Sequence, residues 1–286
     1  MKYPVTNNIK VKHNYYKISL DISASQTLPR PGQFYSVLCD QGTDPLLRRP
    51  FSVHRVREEK GRVLMDILYL VLGKGTTWLS TRVKGDRVDA LGPFGNGFLI
   101  ENGMSDLVLV SRGIGIAPLY AVGQTIKAKH ESARIHVLLG GRRHDRVFYE
   151  DECSRIGHVH TYTDDGSLGF KGRAPDLLVH MLKSAVISSS YHIMTCGPLP
   201  MLKELSAIAR EWNLRGQVAL ETHMGCGFGA CLSCAFPLLP ERIVFGGNWK
   251  KPALQWSEDA RVVYSLICKD GPIYDIHEVD WDEWLS

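Results

Sequence analysis

Two patterns of apolar spacing divide the chain. From the start to about Gly97, short apolar segments recur between turn residues: Lys17–Ile22, Gln33–Cys39, Phe51–Val56, Val63–Leu70 and Arg87–Ala90, separated by PRPGQ, REEKGR, KGD and LGPFGNG. Strands at this spacing, with no helical period between them, predict a small antiparallel barrel or sandwich. Past Phe98–Ser105 the pattern changes. Asp106–Ser111, Arg134–Leu139, His158–Tyr162 and Tyr191–Thr195 read as strands, and Ala117–Lys129, Ala174–Lys183 and Leu199–Trp212 have helical spacing. Strand and helix in alternation predict a doubly wound parallel sheet. After Leu220 the chain breaks into Gly, Cys and Pro, with no helical period until WDEWLS. The expected fold class is therefore multidomain β and α/β: a β-barrel over 1–100, an α/β domain over 101–220 and a small module over 221–286.

Composition narrows the function classes. With 286 residues, 44% hydrophobic and 22% charged, the chain has room for two domains plus an appendage and is neither disordered nor collagenous. The formal net charge of +4 is too weak a field to argue for nucleic acid or an anionic membrane. Met65–Leu72 and Leu107–Val110 are strand-sized, far short of the roughly 18 apolar residues of a membrane span. The opening MKYPVTNNIKVKHN has no apolar h-region, so secretion is not indicated and a cytoplasmic location is expected.

The seven cysteines change the picture most. Cys39, Cys153 and Cys196 are scattered, whereas Cys226, Cys231 and Cys234 crowd into one short loop and Cys268 follows at a distance. This is C-x4-C-x2-C…C, the plant-type [2Fe–2S] spacing. Gly225, Gly227 and Gly229 suit a loop whose backbone N–H groups approach sulfur. Zinc bound by four thiolates is an alternative, although its usual signature is a Cys pair at each end; free thiols are another.

Three further motifs suit anions. Arg49-Pro50-Phe51-Ser52 opens a strand, and Gly73-Lys74-Gly75-Thr76-Thr77 opens a helical stretch; an arginine and a Gly-rich helix start both favour phosphate. Arg112-Gly113-Ile114-Gly115 joins a strand to a helix that carries Pro118 near its start, as a pyrophosphate turn does, but the third Gly of the Rossmann fingerprint is absent. Cys196-Gly197-Pro198 follows a strand at the end where open α/β sheets place ligands. Cys196 alone fits a buried small apolar residue equally well. His54, His136, His192 and His223 show no ligand or triad spacing and read as structural.

Taken in order, RRPFSVH, GKGTTWLS, LGPFGNGF, RGIGIAPL, YTDDGSLGFKG, CGPLPMLK, ETHMGCGFGACLSC and ICKDGPIYDIHEVDW resemble the electron transfer subunits of class B dihydroorotate dehydrogenases, within the ferredoxin–NADP reductase superfamily. The resemblance implies an FAD-binding barrel, an NAD(H)-binding α/β domain and a [2Fe–2S] domain, serving pyrimidine biosynthesis with an FMN-containing catalytic subunit as a heterotetramer of two of each. It places Arg49, Pro50, Phe51 and Ser52, the strand residues Leu68, Tyr69 and Leu70, and Gly75 and Thr76 at FAD. Gly113, Gly115, Pro118, Cys196, Gly197 and Pro198 fall at the nicotinamide. Cys226, Cys231, Cys234 and Cys268 match the cluster ligands.

Two departures stand out: Arg112 occupies a position where the family usually has Gly, and Leu238–Ala260 looks long. Asp164 and Asp165, after the third α/β strand, would repel a 2′-phosphate and favour NAD, while Arg142 and Arg143 argue the other way. A related flavin and iron–sulfur subunit of a hydrogenase, sulfide dehydrogenase or bifurcating complex is the rival enzymatic reading. A zinc-bearing binding module is the non-enzymatic one.

Overall fold

The computed structural model of the chain describes residues 1–40, 42–242 and 263–285. Most of the long Leu238–Ala260 stretch lies outside the described residues.

The first sheet holds β1 (Lys2–Lys12), β2 (Tyr15–Asp21), β3 (Phe34–Val37), β4 (Arg49–Ser52), β5 (Arg55–Glu59), β6 (Arg62–Leu70) and β7 (Arg87–Phe94), in the order β4-β3-β7-β1-β2-β6-β5. The strand expected over Phe51–Val56 is in fact two strands at opposite edges. Val53 N–H donates to Gln33 O and His54 N–H to Asp66 O, so the chain crosses from one edge to the other and curls the sheet into a barrel. β1 escaped the reading from sequence because Asn7, Asn8, Lys10 and Lys12 break its apolar alternation; only Tyr3 and Val5 of its eleven residues are buried. Helix α1 (Lys74–Ser80) follows β6.

The second sheet has the order β11-β10-β9-β8-β12-β13-β16, built from β8 (Asp106–Arg112), β9 (Arg134–Gly141), β10 (His158–Thr163), β11 (Phe170–Lys171), β12 (His192–Cys196), β13 (Arg215–Ala219) and β16 (Ile273–Asp275). All its pairings are parallel except β13 with β16. Helices α2 (Ile116–Lys129), α3 (Glu150–Ser154), α4 (Ala174–Lys183) and α5 (Leu199–Glu211) lie between these strands. From β8 the strand order runs one way through β9 and β10 and the other way through β12 and β13. The switch point is therefore between β8 and β12, where such sheets bind ligands.

The segment after residue 220 adds the hairpin β14 (Ala235–Leu238) with β15 (Val263–Leu266), and the C-terminal helix α6 (Trp281–Leu285). It is not self-contained. β16 extends the second sheet, and Cys234, Phe236, Leu266, Cys268 and Trp281 share one core with Leu178 of α4 and Leu202 of α5. The LGPFGNG turn fastens the segment to the barrel: Asn96 Nδ2 donates to Asp270 O at 2.6 Å, and a Cβ on Gly95 would lie 2.5 Å from Gly271 O.

Candidate functional site

A cleft of about 380 Å³ opens at this switch point and runs against the barrel. The barrel contributes Arg49, Pro50, Phe51 and Ser52 from β4, and Leu68, Tyr69 and Leu70 from β6. β5 accompanies β6 only as far as Asp66, which leaves the next stretch of β6 with an open backbone edge. The Tyr69 ring is buried and its hydroxyl donates to Asn8, so this residue offers main chain to the cleft. Thr76 also lines it; its hydroxyl caps α1, accepting the N–H of Gly73 at 3.1 Å. Gly75 sits behind, where a Cβ would meet Cys39 Cβ at 3.2 Å and Arg49 Cγ at 3.4 Å. The two anion motifs of the first domain thus touch.

From the second sheet come Arg112, Ile114, Gly115, Ala117, Pro118 and Cys196-Gly197-Pro198. Gly115 has a steric reason for being glycine beside the one expected from a pyrophosphate turn: a Cβ there would lie 2.1 Å from Cys196 O. The two strand-end turns are pressed together. Gly113 has φ +55 and faces the Tyr15 hydroxyl, 3.3 Å from where its Cβ would be. Burial pushes the Cys196 thiol far above the usual range, with the Glu221 charge adding to it.

His54 couples the barrel to this wall. It is fully buried, with Nδ1 2.9 Å from Ala117 O and Nε2 2.7 Å from the Tyr149 hydroxyl. A carbonyl only accepts, so Nδ1 carries the proton and Nε2 receives the tyrosine O–H. Burial lowers the His54 pKa to about 3.

Asp164 and Asp165 do not line the cleft. Asp164 forms a two-point ion pair with Arg112, at 3.0 and 2.6 Å, and Asp165 caps its own turn through Ser167 with Arg143 at 4.0 Å. Of the acidic and basic residues that argued for opposite cofactors, only the side chains of Asp165 and Arg143 approach one another. The sequence reading missed Glu221, which lines the cleft just past β13 and whose carboxyl desolvation holds above its ordinary range. Recognising β13 as a strand would have placed it at a strand's carboxyl end.

The cysteine loop abuts the barrel side of the cleft. A Cβ on Gly227 would lie 3.4 Å from Ser36 Oγ, and Ser36 pairs with Pro50 of β4. Pro272, four residues past Cys268, itself lines the cleft. The four sulfurs fall into two pairs. Cys226 Sγ accepts the N–H groups of Ala230 and Cys231 at 3.2 and 3.4 Å, and Cys231 Sγ that of Cys226 at 3.3 Å. Cys234 and Cys268 are buried with their sulfurs 3.2 Å apart. Among the described residues no three metal-binding side chains converge as one ion requires. A binuclear cluster takes two thiolates per iron, so paired thiols with backbone N–H donors suit [2Fe–2S] better than a single zinc.

Known proteins match along the chain. The oxidoreductase NAD-binding domain family matches residues 109–207. A dihydroorotate dehydrogenase B (NAD(+)) electron transfer subunit of Desulforamulus reducens is 35% identical over 273 residues, 95% of each chain; that of Bacillus cereus is 35% identical over 278 residues, 96% of each. The chain belongs to this family of electron transfer subunits. A solved NADH-dependent reduced ferredoxin–NADP oxidoreductase, studied for electron bifurcation, superposes with a TM-score of 0.78 and 26% identity over 99% of this chain and 91% of its own. As a family member the chain is an NAD-linked oxidoreductase component with the flavoprotein reductase fold. Among the described residues no helix is long and apolar enough to cross a membrane.

Proposed function

We propose that this subunit relays electrons between NAD(H), FAD, a [2Fe–2S] cluster and the FMN of a catalytic partner that oxidises dihydroorotate to orotate for pyrimidine synthesis in the cytoplasm. One observation carries the reading: the R-P-F-S strand, the Gly115–Pro118 turn and the turn after Cys268 all line one cleft. Residues 1–100, 101–220 and 221–286 are then the FAD, NAD and cluster units.

In this reading Arg49, Gly75 and Thr76 hold the FAD pyrophosphate, and Pro50, Phe51, Ser52 and the backbone edge of Leu68, Tyr69 and Leu70 hold its ring. Gly113, Gly115, Pro118 and Cys196-Gly197-Pro198 shape the nicotinamide side, and of the two aspartates Asp165 lies toward the adenosine ribose while Asp164 holds Arg112. Cys226 with Cys231, and Cys234 with Cys268, hold one iron each. A flavin bound here supplies the conversion between hydride pairs and single electrons that nicotinamide and cluster chemistry otherwise lack. Leu68, Leu70, Ile114 and Leu220 keep the cleft wall apolar and exclude water. Glu221 adds a carboxyl to this wall, with its pKa raised above the ordinary range by desolvation.

The cysteine loop carries Phe228, 58% exposed, and Leu232, 49% exposed. This face meets the FMN subunit in a heterotetramer of two of each. The purified chain is expected to show flavin and iron–sulfur absorption bands and to co-purify with an FMN protein; a colourless chain overturns the relay. The full-length likeness to the ferredoxin–NADP oxidoreductase supports a second reading, a subunit of a bifurcating complex. Dihydroorotate bleaching the flavins of the co-purified complex selects the first reading, and failure to bleach them selects the second.

A further inference from the structure

We infer that Arg112 is a dinucleotide-phosphate contact, held in place by Asp164. Arg112 ends β8 and lines the cleft beside Gly115 and Cys196-Gly197-Pro198. Its side chain is 20% exposed, too buried for a freely solvated surface charge. The guanidinium reaches across the end of β9, between β8 and β10, to meet the Asp164 carboxylate at two points. β9 ends there in Gly140 and Gly141, and the Tyr162 ring occupies the space that a side chain on Gly140 would take.

Two of the five guanidinium N–H groups are taken by Asp164, which leaves three for a ligand. A bidentate carboxylate removes most of the rotational freedom of an arginine, so the remaining donors are pre-oriented. The neighbouring cation Arg173 is neutralised separately, by Glu204 at 2.6 Å and Asp176 at 3.6 Å. Asp164 is thereby a positioning residue for Arg112, and the N–H groups that start the helix after Gly115 and the Arg112 cation address the same anion.

The inference rests on the nicotinamide reading of this cleft, so the test is calorimetric titration of the FAD-loaded full chain with ADP-ribose, followed by NADH kinetics. R112G should weaken ADP-ribose binding about tenfold and flatten its salt dependence. It should raise the NADH KM by a similar factor with kcat within about twofold, the pattern of lost uniform binding. D164N should weaken binding less, about threefold, and R112K should fall between the wild type and R112G. Wild-type affinity in R112G would make the pair merely structural. Tighter binding by D164N would show that the carboxylate competes with the ligand, and either result overturns the inference. A wild-type chain that ignores ADP-ribose would instead bring down the nicotinamide reading itself.

Discussion

The cleft and the cysteine loop are built by opposite means. The cleft's walls are strand ends and tight turns forced together, with Gly115 against Cys196 O and His54 buried between Ala117 and Tyr149. All of these contacts are between the chain's own groups. Residues 221–234 contain no helix or strand; Gly227, Gly229 and Leu232 have φ of +82, +89 and +61, and Phe228 points to solvent. Cys234 and Cys268, with Met224 packed alongside, anchor this part to the core. The cleft is therefore held by its own packing, whereas the loop relies on its four thiols and whatever they bind, so that binding there is also folding.

The largest effect should come from removing an anchoring thiol. Cys268→Ala should abolish the cluster and leave the loop open to limited proteolysis, while FAD stays bound. Iron analysis and the flavin spectrum check this, and two irons per chain in the variant would break the comparison. Next comes Gly115→Ala, whose added Cβ meets backbone and not a flexible side-chain end. We expect a stability loss of about 1–3 kcal/mol and much slower flavin reduction by NADH, with the cluster retained. Unfolding curves and stopped-flow traces test it; unchanged reduction would mean that the wall tolerates a shift.

The same contrast explains what the sequence made legible. The α/β strands and helices were readable because burial on both faces leaves continuous apolar runs, as in Val108, Leu109 and Val110, all fully buried. β1 and β13 were not, since Asn7, Asn8, Lys10 and Lys12 break the alternation of β1, and Arg215, Gly216 and Gln217 leave β13 an apolar run of only Val218 and Ala219. The cluster of cysteines was visible from spacing alone, whereas the pairing of the sulfurs and the seat of the loop on Ser36 needed the fold. Arg112 and Asp164 were each noticed, yet only parallel register across β9 brings them into contact. Glu221 had no local signal, because its place in the cleft follows from β13 lying beside β12.

A smaller effect is expected at Arg49, which closes the barrel side of the cleft against Gly75. Arg49→Ala removes one charge-assisted contact worth about 1.5–3 kcal/mol. FAD should therefore bind at least about tenfold more weakly, measured by fluorescence titration of the apoprotein. The scaffold and the cysteine loop should be unaffected. Equal affinity in the variant would place the pyrophosphate elsewhere in the cleft.

The smallest effect concerns acid and the joint at His54. Its imidazole has a folded pKa of about 3 against about 6.5 in an unfolded chain. Between those values the unfolded state takes up a proton that the folded state refuses, so stability is lost as pH falls, by up to about 1.4 kcal/mol per unit. His136, with its pKa lowered to about 4, and His160, also lowered, act in the same direction. They remain in any His54 variant, so a difference measurement isolates the joint. His54→Gln keeps a donor for Ala117 O and an acceptor for the Tyr149 hydroxyl but does not titrate. Urea unfolding at pH 7 and pH 5.5 should show the wild type losing about 1.3 kcal/mol more than the variant over that interval. Parallel losses in the two proteins would mean that His54 is solvated or protonated at pH 5.5, and that the cleft wall is looser than its contacts imply.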